Sequence, residues 1–251
     1  MSRIFGLSAI HDLLRVAPEA LTAIHILEGE SDEAIDALVA RASAAGVKVK
    51  TTPRVAQRRR AGGRGGSRVS ADVRAAPTVP IETLTAACEP TPLILIVDGV
   101  TDPHNFGAIL RSAAAFGVTA VICAKQRQAP LNDAALRASA GAVATVPVIR
   151  VPNLNRVVRQ LRKQGVWVFA SMPGAEKTYW ETDLTVPVAL VVGAEGAGVR
   201  PGLVKACDLS LKLPMSEKIQ SINVSVFTGV VLAEVYRQRL GARARVAQRL
   251  A

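Results

Sequence analysis

From residue 93 onward, short apolar runs alternate with segments of helical periodicity. The apolar runs predict strands, and they are LILIV (93–97), VTAVICA (118–124), ATVPVIR (144–150), VWVFA (166–170), PVALVV (187–192) and LSLKL (209–213). The helical segments are 105–116, 131–140, 153–164, 201–206 and a last one at about 221–240. Continuous apolar strands that alternate with helices are typical of a mostly parallel sheet covered on both faces. The predicted fold class is therefore α/β.

The first 75 residues have the pattern of a smaller α/β unit. Two helices and two strands are predicted in it, in the order SAIHDLLRV (8–16), LTAIHIL (21–27), SDEAIDALVARASAAG (31–46) and VKVKT (47–51). Ser31 is the predicted N-cap of the second helix, and Gly46 ends it. Four prolines between residues 76 and 92 indicate a tether. The chain thus divides into a small domain (1–75), a linker (76–92) and a larger domain (93–251).

The small domain ends in a strongly basic stretch, RVAQRRRAGGRGGSRVSADVR (54–74). It has seven arginines and a single acid, Asp72. It is either a flexible basic loop or an ordered edge with a mobile tip, and it suits phosphate contacts as well as it suits a solvated linker. Base stacking is not indicated because the stretch has no aromatic residue. The candidate RNA contacts are Arg58, Arg59, Arg60 and Arg64.

The whole chain is basic, since 31 Lys and Arg stand against 20 Asp and Glu, a net charge of +11. Such an excess attracts polyanions, of which nucleic acid is the first candidate, although a merely basic surface has the same composition. No uncharged apolar run reaches the ~18–20 residues that span a bilayer, and the first residues lack the pattern of a signal peptide. Partners at a membrane are therefore not expected.

The three cysteines, Cys88, Cys123 and Cys207, are far apart in the sequence. They form neither a metal-spacing pair nor a disulfide framework, so they are interpreted as small buried residues in a reducing compartment. The histidines at 11, 25 and 104 form no ligand cluster in the sequence, and no metal is expected. Together these features predict a soluble protein of the cytoplasm.

A glycine-rich turn, VVGAEGAGVRPG (191–202), follows a predicted buried strand. Glycines there let the backbone turn tightly and bring its N–H groups close to a ligand. The spacing G-x-x-G-x-G is neither the dinucleotide fingerprint nor a P-loop, which disfavours nicotinamide cofactors and nucleoside triphosphates. Glu195, between Gly193 and Gly196, is either a surface turn residue or a carboxylate that orients another group.

Two further strand ends have unusual polar residues. After the first strand, His104, Asn105 and Arg111 precede or occupy a helix whose apolar stripe lies on the opposite side from Arg111. On periodicity alone Arg111 is a solvated arginine and Asn105 an N-cap, unless another subunit or an RNA faces them. In the segment LPMSEKIQSINVS (213–225), Asn223 or Ser221 is either an N-cap or part of a site.

Three motifs, in this order, resemble the SpoU (TrmH-like) ribose 2′-O-methyltransferases of the SPOUT superfamily. They are NFGAILRSA (105–113), GAEGAG (193–198), and LPM (213–215) followed by INVS (222–225). The first 75 residues look like the L30e-like substrate-binding domain of the RlmB branch, which methylates a guanosine of large-subunit rRNA. The sequence departs from the family pattern at Ile222, where leucine is usual, and after Met215, where glycine is common.

The resemblance implies a parallel sheet with a C-terminal trefoil knot, which sequence rules would not propose. It implies S-adenosyl-L-methionine as cofactor, bound by Gly193, Leu213 and Ile222, and a homodimer with each active site near the interface. By family analogy Arg111 activates or orients the ribose 2′-hydroxyl, and Asn105, Glu195 and Asn223 hold the ribose or Arg111 in place. Arginine is a poor literal base because its guanidinium stays protonated in proteins. We therefore favour orientation by Arg111, with proton loss to a phosphate or water.

Two alternatives stay open at this point. One is a catalytically silent RNA-binding homologue. The presence of all four candidate catalytic residues is evidence against it: Asn105, Arg111, Glu195 and Asn223. The other is a 2′-O-methyltransferase that acts on tRNA or on another rRNA site.

Overall fold

The computed structural model describes residues 2–16, 18–53, 67–73, 91–216, 218–219 and 221–250 of the chain. These residues form two separate β-sheets with helices packed on them. The first sheet has strands β1 (Ser2–Phe5), β2 (Leu21–Leu27), β3 (Lys48–Thr52) and β4 (Val69–Val73), in the order β1-β4-β2-β3. Its helices are α1 (Leu7–Val16) and α2 (Glu33–Ala44), with a 3-10 turn at Pro18–Ala20. A small α/β unit at the N-terminus, as the sequence pattern predicts, is therefore present.

Several details of this unit differ from the sequence prediction, and one is strand β1, which was not predicted. The N-cap of α2 is Asp32, whose side chain accepts from the amide of Ile35, and not Ser31. Residues Val69–Val73, inside the stretch predicted as a basic loop or edge, form an inner strand between β1 and β2. The apolar positions of this strand are buried, and their burial stabilises the strand although the surrounding sequence is basic. Arg58, Arg59, Arg60 and Arg64 lie outside the described residues.

The single acid of that stretch, Asp72, belongs to a polar cluster of the first sheet. It accepts from Arg3 Nε at 2.7 Å and lies 2.7 Å from His25 Nε2. His25 is buried and its Nδ1 lies 3.2 Å from Thr52 Oγ1. Burial alone would raise the pKa of the Asp72 carboxyl, but the hydrogen bonds from His25 and Arg3 outweigh it and lower that pKa. The cluster ties together all four strands of the sheet.

The second sheet has seven strands, and all its pairings are parallel. The strands are β5 (Leu93–Asp98), β6 (Ala120–Ala124), β7 (Val148–Val151), β8 (Trp167–Ser171), β9 (Lys177–Thr178), β10 (Val188–Gly193) and β11 (Leu209–Lys212). They are arranged as β7-β6-β5-β10-β8-β11-β9. The predicted α/β class with a parallel sheet is confirmed.

Helices cover both faces of this sheet. They are α3 (Pro103–Ala115), α4 (Asp133–Ser139), α5 (Leu154–Lys163), α6 (Pro201–Val204) and α7 (Val224–Leu250), with a 3-10 turn at Ala142–Ala144. Because successive strand residues point to opposite faces, Leu95 packs in the apolar cluster that includes α3 and α7, and Ile94 packs in the cluster that includes α5 and α6. Burial on both faces explains why the strands have continuous apolar runs.

Element ends differ from the sequence prediction by a few residues. Helix α3 begins at Pro103 and not at Asn105, and the predicted strand 144–150 begins only at Val148. Helix α7 begins at Val224 and extends to Leu250, beyond the predicted end. Among the described residues, no helix is long and apolar enough to cross a membrane.

Candidate active site

The glycine-rich turn leaves the carboxyl end of β10 and folds back on itself. Ala194 and Gly198 exchange two backbone hydrogen bonds, of 3.2 and 2.9 Å. A Cβ on Gly193 would lie only 2.0 Å from the carbonyl carbon of Gly198, so a side chain at this position has no room. Gly196 and Gly198 have φ angles of 77° and 65°, in the region that favours glycine. The turn predicted from the sequence is thus present and depends on its glycines.

Glu195, at the tip of this turn, joins two predicted site residues from other elements. Its Oε1 accepts from Asn223 Nδ2 at 2.7 Å and from Asn105 Nδ2 at 3.0 Å. Asn223 Nδ2 also donates to Asn105 Oδ1 at 3.0 Å, which closes a three-membered ring of contacts. The backbone amide of Val224 lies 3.4 Å from the same carboxylate oxygen. Residues that are far apart in the sequence therefore meet at one carboxylate.

The two asparagines reach Glu195 from helix starts, and in different ways. Asn223 Oδ1 accepts from the amides of Ser225 and Val226, at 2.9 and 3.4 Å, and so caps α7 while its Nδ2 contacts Glu195. The capping interpretation of Asn223 is therefore confirmed, and its contact with Glu195 leaves its predicted role in a site open as well. Asn105 is not an N-cap, because Asp102 caps α3 by accepting from the amides of His104 and Asn105. Its side-chain amide is left to bind Glu195.

A cavity of about 290 Å³ lies beside this ring, at the carboxyl ends of β8, β10 and β11. Gly193, Leu213 and Ile222, predicted as one binding set, all line it together with Glu195. The rest of its wall is mainly apolar or backbone and includes Met172, Pro173, Leu211, Met215, Val224 and Phe227. Lys212 also lines it, so the wall has one carboxylate and one ammonium group and is otherwise largely apolar, which suits an organic ligand of mixed polarity. Its position agrees with the rule that ligands of open α/β sheets bind at the carboxyl ends of strands.

The wall is supported by two groups that sequence reasoning did not single out. Ser171 lines the cavity and its Oγ lies 2.6 Å from the hydroxyl of Tyr179. Burial raises the pKa of the Tyr179 phenol far above its usual range, more than the Ser171 contact lowers it, so this hydroxyl stays protonated. The pair fixes the end of β8 under the cavity.

A second pair that the sequence analysis did not identify connects the glycine-rich turn to β5. Asp98, the last residue of β5, is 2% exposed and lies 2.6 Å from Arg200 Nη2. Its carboxylate also accepts from the Arg200 backbone amide at 3.0 Å. The side-chain hydrogen bond to Asp98 raises the pKa of the Arg200 guanidinium. The available signal was a lone aspartate at the end of an apolar strand, because a buried carboxylate needs a charged partner.

Arg111 does not join the ring at Glu195. It is exposed on α3 and lines a different cavity of about 560 Å³, which shares no lining residue with the first. No side chain among the described residues makes a hydrogen bond or an ion pair with it. Within a single chain, the structure brings together three of the four predicted catalytic residues. In the part of the chain that the structure describes, no group of three His, Cys, Asp or Glu could hold a metal ion.

This fold and this cavity define a class: α/β proteins with a parallel sheet and a glycine turn that shapes a ligand cavity at its carboxyl edge. The sequence profile of the SpoU rRNA Methylase family matches residues 92–233. The chain is 40% identical over 243 residues, covering 96% of this chain and 99% of the relative, to the 23S rRNA (guanosine-2′-O-)-methyltransferase RlmB of Haemophilus influenzae. The chain therefore belongs to the SpoU rRNA methylase family, as the three motifs predict.

Solved structures have the same fold over nearly the whole chain. The SpoU methyltransferase AviRb from Streptomyces viridochromogenes, in complex with the cofactor AdoMet, has a TM-score of 0.76 at 21% identity, over 95% of this chain and 90% of that one. An RNA 2′-O ribose methyltransferase has a TM-score of 0.74 at 26% identity, over 95% of this chain and 88% of that one. The first sheet is thus part of an arrangement found in other members of the fold.

Proposed function

We propose that this protein transfers a methyl group from S-adenosyl-L-methionine to a ribose 2′-hydroxyl in RNA, at a guanosine of 23S rRNA. The observation that carries the proposal is the ring of Asn105, Glu195 and Asn223 beside the cavity lined by Gly193 and Leu213. It occurs in a chain whose relatives, at up to 40% identity over nearly their full length, are 23S rRNA guanosine 2′-O-methyltransferases. A silent RNA-binding homologue would have no need of this ring.

The residues of the cavity fit S-adenosyl-L-methionine. Gly193 leaves backbone exposed where a side chain would fill the space, and Leu213 and Ile222 supply apolar surface for a flat ring. Glu195 and Lys212 are the charged residues of the lining, and together they suit a molecule that has both positive and negative groups. When bound, the cofactor supplies a methyl group that is already electrophilic on its sulfonium.

The protein's own task is then to align the ribose hydroxyl and assist the loss of its proton. Asn105 and Asn223 hold the Glu195 carboxylate at 3.0 and 2.7 Å, so this part of the site is preorganised. Arg111 orients the 2′-hydroxyl and stabilises developing negative charge, and the proton passes to a phosphate oxygen or to water. A guanidinium is suited to this role because it remains charged.

A homodimer supplies what a single chain lacks. In one chain, Arg111 lines a different cavity from the one proposed for the cofactor. A two-fold partner is therefore needed to bring the Arg111 of one chain to the cofactor cavity of the other. Helix α7 has exposed apolar side chains suited to such an interface: Val226 (55% exposed), Val230 (39%), Tyr236 (40%) and Leu240 (47%). The family resemblance adds the proposal of a trefoil knot in the C-terminal segment.

Mixed dimers test this arrangement. At a cofactor concentration below the wild-type Kd, Arg111→Ala and Gly193→Ala homodimers should each have only a few per cent of the wild-type rate or less, roughly as expected for a 100-fold loss of turnover and a 30-fold loss of cofactor affinity. A heterodimer of the two has one site with both residues intact. Refolded or co-expressed mixtures should recover roughly a quarter of the wild-type rate under random pairing. If the methylation rate of the mixture does not exceed the summed rates of the two homodimers, both residues act in the site of the same subunit.

We also propose that residues 1–75 form the RNA-binding domain, with Arg58, Arg59, Arg60 and Arg64 as phosphate contacts, and that the enzyme acts in the cytoplasm, where rRNA is matured. Replacing Arg58, Arg59 and Arg60 by Ala should flatten the salt dependence of RNA binding by roughly 0.7–0.9 log unit per lost phosphate contact. An unchanged slope would make this stretch a passive linker.

Cofactor choice is tested by calorimetry on the purified protein in the presence of EDTA. S-adenosyl-L-methionine should bind at the same affinity with and without the chelator, because no metal takes part in the proposed reaction. Preferential binding of NADH or ATP would contradict the assignment.

A further inference from the structure

We propose that the outer face of helix α5 binds the phosphate backbone of the substrate RNA, away from the proposed site of methyl transfer. The proposal deepens the proposed function and rests on RNA being the substrate. Three exposed cations form this surface, and we call them the α5 stripe: Arg156, Arg159 and Lys163. Their spacing of i, i+3 and i+7 places them within about 60° of one another around the helix and along about 10 Å of its axis.

The charges of the α5 stripe are not neutralised within the helix. Helix α5 has no acidic residue, and among the described residues no hydrogen bond or ion pair engages the three side chains of the stripe. Arg162, the fourth cation of the helix, differs because it donates to Asp208 at 2.6 Å and to the carbonyl of Ala206 at 3.0 Å. The stripe therefore presents three positive charges to a ligand.

Two features of the α5 stripe oppose helix formation. Arg156 lies in the first turn, where the partial positive charge of the helix end disfavours a cation. Arg159 is three residues from Arg156 and four from Lys163, and like charges at these spacings repel each other. Only Lys163, in the last turn, suits the helix dipole. Folding alone does not explain this arrangement, whereas a bound polyanion would relieve both kinds of repulsion.

The chemistry of the α5 stripe fits a phosphate backbone. Guanidinium groups match phosphate oxygens in geometry as well as in charge. A stripe of about 10 Å is too long for one small ion to contact both of its ends, so it suits an extended polyanion. Helix α5 has no aromatic residue on which a base could stack. Such contacts would position the RNA without reading its sequence.

The place of α5 in the fold leaves the stripe accessible in the proposed dimer. Helix α5 packs in the apolar cluster on one face of the second sheet, and α7 packs in the cluster on the other face. Because α7 is the helix proposed for the dimer interface, the partner would cover the opposite side of the sheet. The other helix on the same face as α5 is α6, and the segment 199–207 around it has Arg200 and Lys205 but no acidic residue.

A basic path connects the candidate active site with the α5 stripe. Arg127 is exposed and lines a cavity of about 80 Å³ together with Ala194 of the glycine-rich turn. Two residues earlier, the amide of Lys125 donates to the carbonyl of Val151 at 2.8 Å, at the end of the strand that leads into α5. An RNA strand that leaves the site over this edge of the sheet therefore reaches Arg156 next.

The test compares stripe variants with a matched control on the same helix. The stripe variants are Arg156→Gln, Arg159→Gln, Lys163→Gln and the triple combination, and the control is Arg162→Gln. The control removes the same charge from α5, but from a guanidinium that binds Asp208. All variants are made in the full chain and checked for melting and oligomeric state. Binding of a 23S rRNA fragment is measured by filter retention over a range of salt, and its methylation by steady-state kinetics.

Each single stripe variant should lower the slope of log affinity against log salt by about 0.7–0.9, and the triple variant by about 2–3. At about 0.15 M salt, the triple variant should have a roughly 100-fold higher Kd and KM for RNA, with kcat changed by less than about twofold. It should melt no lower than wild type, because repulsion along the helix is removed. Arg162→Gln should keep the wild-type salt slope.

A triple variant with the salt slope of Arg162→Gln would overturn the proposal. An equal fall in slope for Arg162→Gln and for the single stripe variants would also overturn it, because the effect would then come from net charge and not from contacts. Sedimentation with phosphatidylglycerol vesicles that is lost in the triple variant, while its RNA salt slope stays that of wild type, would identify a membrane-binding surface instead. If the wild-type protein binds rRNA without methylating it, the proposed reaction fails, but the salt slopes still decide the role of the α5 stripe.

Discussion

Replacing Gly193 by alanine tests the structural basis of the cofactor cavity. A Cβ there would lie 2.0 Å from the Gly198 carbonyl carbon and 2.2 Å from both its oxygen and the Val199 nitrogen. These are backbone atoms, so no side-chain rotation relieves the overlap. The turn must move by roughly 1.5 Å to reach an ordinary contact of ~3.5 Å, which breaks the two hydrogen bonds between Ala194 and Gly198.

The expected cost follows from this displacement. Overpacking of a well-packed site costs about 1–3 kcal/mol, and melting falls by roughly 2–4 °C per kcal/mol in a chain of this size. Because Glu195 moves with the turn, part of the preorganised cavity is lost as well. A loss of about 2 kcal/mol in binding free energy corresponds to roughly a 30-fold higher Kd for S-adenosyl-L-methionine.

The assay is calorimetric titration with the cofactor, beside a melting curve of the same sample. Gly202→Ala is the matched control, because a Cβ at that position meets nothing within 4 Å. We expect the control to bind the cofactor like wild type. A Gly193→Ala protein that melts normally and binds with a Kd within about twofold of wild type would refute the reasoning.

Three further predictions concern single side chains. Arg111→Ala should change the free energy of unfolding by less than about 0.5 kcal/mol, because the residue is exposed. It should lower the rate of single-turnover methylation at least ~100-fold. A folded variant with a normal rate would show that Arg111 is only a solvated arginine. Asp72→Asn should destabilise the first unit by about 1–3 kcal/mol at neutral pH. The pKa of Asp72 is lowered in the fold, so the stability that its carboxylate contributes is lost as pH falls below about 4. An equal loss of stability in the variant at acid pH would contradict this prediction. Burial raises the pKa of Cys123 to about 11 and that of Cys207 to about 12, so a Cys88→Ser protein should react with a thiol reagent at pH 8 only after denaturation; fast labelling of the native protein would be the opposite result.

The architecture of the larger domain could be predicted because its strands are buried on both faces. LILIV (93–97) is apolar at every position, and in the structure its side chains enter the two apolar clusters in alternation. The strand Val69–Val73 was missed because arginines dominate the window around it. Its pairing with β1 and β2 is long-range information that local composition does not contain.

Residue types and the order of the motifs were enough to select the candidate site residues, but not to predict their contacts. The contacts of Asn105 and Asn223 with Glu195 join residues about 90 and 28 positions apart along the chain, so only the fold brings them together. The pair of the buried Asp98 and the exposed Arg200 was missed because the two residues are 102 positions apart and nothing in the local pattern indicates that they meet. Capping preferences misplaced the start of α3 at Asn105, because Asp102 before a proline is an equally good cap.

The central claim is the transfer of a methyl group to a ribose oxygen of rRNA. It is tested most directly by incubating the purified protein with 23S rRNA and S-adenosyl-L-methionine and mapping 2′-O-methylation at nucleotide resolution. A matched RNA fragment that has a 2′-deoxy sugar at the mapped position serves as substrate control. The account predicts methylation at a single guanosine and none on the 2′-deoxy fragment. Methylation of a base, undiminished methylation of the 2′-deoxy fragment, or no transfer by a protein that binds both cofactor and RNA would contradict it.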